Sequence, residues 1–61
     1  MMTGWQQRQE QEALAAVAVA RTLLALDRLR RKASAGGWLS TGLMAAIRAR
    51  QDALRAAGVR E

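Results

Sequence analysis

Residues 13–20 read ALAAVAVA, and the apolar run continues through Leu23, Leu24, Ala25 and Leu26. Between Glu12 and Asp27 the only charge is Arg21. A helix wound from this stretch is apolar on nearly every side, so it has to be covered on more than one. The chain has 61 residues. A domain of that size buries only about 60% of the surface its unfolded form exposes, and it does not easily surround a helix by itself. The stretch therefore predicts a fold completed by other copies of the chain or by a larger assembly.

Small domains usually gain stability from disulfides, a metal or oligomerisation. There is no Cys and no His, and the five acids (Glu10, Glu12, Asp27, Asp52 and Glu61) are scattered. Neither a disulfide nor a metal site is expected from such a set, and oligomerisation or a host partner remains. The same composition speaks against catalysis. His, Tyr and Cys are missing, Glu10 and Glu12 point to different faces of a helix, and Ser34, Ser40 and Thr41 have no nearby base. The Gly36-Gly37 pair lacks the spacing of a phosphate-cradling loop. No enzyme and no cofactor are expected.

The punctuation lies at Gly36-Gly37. No Pro interrupts the chain, and Ala, Leu, Arg, Gln and Glu, all good helix formers, dominate it. The pattern predicts an all-α fold: helix 1 over about 5–35, a loop over 36–40 and helix 2 over about 41–57, folded back as an antiparallel hairpin. Thr3 is placed to cap helix 1 and Ser40 to cap helix 2. Gly36 is placed as the left-handed residue closing helix 1. Gly58 stops helix 2, with Val59 in position for the accompanying apolar contact.

Helix 2 carries one apolar stripe: Leu39, Leu43, Ala46, Ile47, Leu54 and Ala57. Helix 1 carries two. Val19, Leu23 and Leu26 form one; Val17, Leu24, Ala13 and Ala20 form the other. One stripe takes helix 2, and the other predicts an isologous contact with a second copy, giving a four-helix bundle of two hairpins. Residues 1–13 overhang such a hairpin, and Trp5 is the natural anchor for a partner there. Arg8, Gln9, Glu10 and Glu12 would form a polar rim around it. The interface expected from sequence comprises Trp5, Val17, Arg21, Leu24, Trp38 and Arg50. Trp38 has the competing role of a lid on the hairpin's open end. Arg50 interrupts the helix 2 stripe, so it either extends its guanidinium to water or meets an acidic group of a partner.

The formal net charge is +5, and nine of the ten basic residues are Arg. That balance favours acidic partners, although an Arg- and Ala-rich composition also follows from GC-rich codon usage. The dense cluster is Arg28, Arg30, Arg31 and Lys32. It either complements the negative end of helix 1 or grips phosphates without reading sequence. With two Trp and no other aromatic residue, single-strand stacking has little support. Helix 2 opens on Leu39-Ser40-Thr41-Gly42-Leu43-Met44, which offers few base-reading groups. A membrane-spanning helix needs roughly 20 apolar residues, more than this run holds. The segment ahead of the run lacks the positive excess of a secretory signal. Together these features predict a cytoplasmic, non-enzymatic interaction or structural subunit of the accessory or phage type, binding itself or a larger protein assembly. A basic nucleic-acid-binding or regulatory dimer is the alternative, and a peripheral membrane-surface binder the second.

Overall fold

The computed structural model describes residues 4–60. They form three helices, α1 (Gly4–Val19), α2 (Leu23–Gly36) and α3 (Thr41–Ala56), with no strand among the described residues. The all-α expectation holds. The two-helix hairpin does not: the single helix expected over 5–35 is two helices, interrupted at residues 20–22. The cap expected at Thr3 lies outside the described residues.

The interruption has local and distant causes. Thr22 is extended (φ −131°, ψ 152°), and its hydroxyl oxygen accepts the Ala25 N–H at 3.1 Å, capping α2. At the end of α1, the Ala20 N–H turns back to the Val17 carbonyl at 3.3 Å. The Ala20 carbonyl then accepts from Arg50 Nε at 2.9 Å, thirty residues away on α3. Folding α2 back over α1 brings Ala13, Val17, Ala20, Leu26 and Ala33 into one core with Trp38, Leu43, Ile47 and Leu54. Burying a large aliphatic side chain contributes about 1.5–3 kcal/mol. A backbone hydrogen bond forgone at a helix break costs about 1 kcal/mol net. Burial therefore outweighs the break, and one side of the apolar run is covered by its own chain while Leu14, Val19 and Leu24 stay exposed.

The result is an up-down-up bundle. Gln9, Glu12, Ala13 and Ala16 of α1 share a groove with Leu29 and Lys32 of α2, so these helices run antiparallel. Glu10 meets Ser40 at the start of α3, while Ala20 meets Arg50 farther along it, so α1 and α3 run parallel. Each helix packs on the other two. The overhang expected for residues 1–13 is not found at its inner end, since Gln9, Glu10 and Ala13 lie against α2 or α3, while Trp5, Gln7 and Arg8 are exposed.

The two glycines between α2 and α3 do different work. Gly37, not Gly36, is the left-handed residue (φ 74°). Its N–H bonds the Ser34 carbonyl at 3.2 Å, and the Trp38 N–H bonds the Ala33 carbonyl at 3.0 Å, which is a Schellman cap. Gly36 is helical and is required for space: a Cβ there would lie 2.6 Å from Trp38 Cδ1. The indole thus folds over the end of α2 and closes the core. Ser40 caps α3 as expected, accepting from the Leu43 N–H at 3.1 Å. Its hydroxyl donates to the Glu10 carboxylate, which places a negative charge at the positive end of α3. At the far end Gly58 (φ 89°) and Val59 complete the second Schellman cap, with bonds to Arg55 and Leu54 at 3.0 and 2.9 Å. Val59 packs on the core from there.

Candidate functional site

The core uses only one side of α1. Ala13 and Val17 face inward, and Ala20 follows them at the turn. Its other sides stay largely in solvent although much of their surface is apolar, including the flank beside the α1–α2 groove that Glu12 lines. Trp5, Arg8, Glu12, Ala15 and Val19 are all exposed and follow one another at steps of three and four, so they form a single row along the helix. Gln7, Gln11, Leu14 and Ala18 form the adjoining exposed row. Trp5 is 57% exposed and Val19 73%, and they stand at opposite ends of the first row. Arg8 and Glu12 lie between them. Neither makes an ion pair or hydrogen bond within the described chain. Arg four residues before Glu is also the weaker order for a pair along one helix.

The residues expected at an interface divide in two. Trp5, Arg21 and Leu24 are exposed. Val17 and Trp38 are each 4% exposed and belong to the chain's own core. Trp38 takes the lid role, because the cap places it across Gly36. Arg50 is half-buried, and its Nε donates to the Ala20 carbonyl at the α1–α2 corner. Periodicity along one continuous helix pairs Val19 with Leu23 and Leu26. The break at residues 20–22 uncouples them, so Leu26 is fully buried while Val19 turns outward. With a continuous helix assumed, no signal in the sequence marks Val19 as the most exposed large apolar residue of α1.

The basic cluster is partly neutralised. Asp27 pairs with Arg30 Nη2 and with Arg31 Nε, both at 3.0 Å, on the surface of α2. Arg28 and Lys32 are exposed and have no acidic partner among the described residues. Leu24, Arg28, Arg31 and Ala35 share the outward side of α2 by their spacing.

The described surface includes two open depressions. One is the α1–α2 groove, which reaches Trp38 at its end. The other runs along the outer side of α3, lined by Thr41, Met44, Ala45, Arg48, Ala49 and Asp52. In the α3 depression Thr41 and Asp52 stand on one helix about 16 Å apart along its axis, so the hydroxyl and the carboxylate do not meet. No group of three or more His, Cys, Asp or Glu converges among the described residues. No helix among them is long and apolar enough to cross a membrane.

Comparison with protein-family models, with curated proteins and with solved structures finds no match to this chain. The functional reading therefore rests on its own surface.

Proposed function

We propose that this chain is a non-enzymatic interaction subunit that offers the outward side of α1 to another protein chain. One observation carries the reading. The bundle closes its core through Ala13 and Val17, yet Trp5, Leu14, Ala15, Ala18 and Val19 on the same helix remain exposed. None of these residues belongs to the buried core cluster, and Trp is among the residues enriched at interface anchors. The need for a partner is milder than the sequence alone implies, because α2 and α3 already cover the inner side of α1.

The test is capture from the native host with two baits, the wild-type chain and Val19→Asp. Val19 is outside the core, so the substitution leaves the fold intact. A protein retained by the wild type and lost with Val19→Asp supports the reading. Identical recovery by both baits refutes it.

Phosphate contact through α2 is the second reading, favoured by the unpaired, exposed Arg28 and Lys32. Its test is binding to duplex DNA and RNA at low salt, where a phosphate-gripping surface shows a steep salt dependence. Changing Arg28 and Lys32 to Gln flattens that dependence if they make the contacts.

A further inference from the structure

We infer that the partner of α1 is α1 of a second copy, packed antiparallel about a two-fold axis near Gln11. This rests on the reading above and names its occupant. Along the exposed row the residues follow the order Trp5, Arg8, Glu12, Ala15, Val19. The longest side chains, Trp5 and Arg8, stand in its first half, and the shorter Ala15 and Val19 end its second. An antiparallel copy reverses the order, so the longest side chains face the shorter ones.

The register follows from helix geometry. With the axis at residue 11, a residue i of one copy lies level with position 22 − i of the other. Trp5 then falls between Ala15 and Val19 of the second copy, about two residues, or roughly 3 Å of helix rise, from each. Arg8 falls between Ala15 and Glu12 of the second copy, again about 3 Å or less along the axis from either. The two rows interleave without collision, as side-chain knobs enter holes. In a two-fold antiparallel pair, the same flank of each helix meets itself, so residues of one row are brought together. Each Arg8 thus gains the carboxylate it lacks within its own chain, and each Glu12 gains a guanidinium. Trp5 and Val19, the most exposed large apolar residues of α1, are covered in the same step. A single helix face is a small interface, so association belongs to the weak class and is sought at high micromolar concentration.

Charge exchange tests the register. Arg8→Glu gives a chain with two acids in the row, and Glu12→Arg gives one with two bases. Each residue is exposed and forms no ion pair within its chain; Glu12 also lines the α1–α2 groove with Lys32, so circular dichroism and thermal unfolding check that both variants keep the bundle intact. Sedimentation of each variant alone should show association weakened by roughly tenfold, the scale of a like-charge contact. An equimolar mixture should associate about as well as the wild type, because each acid then meets a base. Trp5 emission should shift to the blue on association in the wild type and in the mixture. A wild-type chain that stays monomeric at high micromolar concentration overturns the self-pairing, while the two-bait capture still decides whether α1 binds a different chain. A wild-type chain that associates, with variants that associate equally well alone and show no preference for each other, overturns the antiparallel register.

Discussion

Replacing Arg50 with Met tests whether a side chain on α3 holds the α1–α2 corner. Met keeps the length and apolar stem of the side chain and removes the Nε donor that reaches the Ala20 carbonyl at 2.9 Å. A hydrogen bond from a charged group contributes about 1.5–3 kcal/mol. Arg50 is half-buried, and solvent screening places the loss near the lower end, about 1.5–2 kcal/mol. A chain of this size has a total stability of roughly 3–9 kcal/mol at the usual per-residue scale. The substitution should therefore remove a sizeable part of it and lower Tm by roughly 6–16 °C. The assay is urea and thermal unfolding followed by circular dichroism at low micromolar concentration. Hydrogen exchange should report the same loss locally, with faster exchange at the first turn of α2. Arg50→Met within about 0.5 kcal/mol of the wild type would refute the corner-holding role.

Two further substitutions probe the turns. Thr22→Ala removes the acceptor for the Ala25 N–H and should destabilise the bundle by about 0.5–2 kcal/mol in the same unfolding assay. At the double glycine, Gly37→Ala introduces a positive-φ penalty of about 1–2 kcal/mol and should leave Trp38 buried. Gly36→Ala should instead displace the indole, read as a red shift of Trp38 emission in a Trp5→Phe background.

The helix ends marked by their own residues were legible in the sequence. Ser40 caps α3, Gly58 and Val59 close it, and the double glycine separates α2 from α3. Which glycine takes the left-handed conformation was not legible, because the choice depends on where the Trp38 indole lies. The break at residues 20–22 was missed for a similar reason. Ala20 and Arg21 are good helix formers, and Thr22 alone is a weak stop. The Ala20 carbonyl is satisfied by a residue thirty positions away, which no local pattern shows. Two signals did point to it: a helix of about thirty residues is long for a globular chain, and Thr22 stands directly before the apolar Leu23-Leu24 pair, where an N-cap belongs. With the break in place the candidate surface changes as well. Val17 and Trp38 go to the core, Trp5 stays outside, and Val19 joins it.

The fold-back at residues 20–22 underlies both the closed core and the exposed row, and one distance tests it. The chain contains no Cys, so spin labels can be placed through Glu12→Cys and Lys32→Cys alone. These positions line the same groove. The doubly labelled chain is diluted into unlabelled chain, so that only distances within one molecule are read by electron paramagnetic resonance. The three-helix bundle predicts a single population below about 20 Å, the spacing of packed neighbouring helices plus the label arms. A population near 30 Å, the length of about twenty residues of continuous helix, would contradict it.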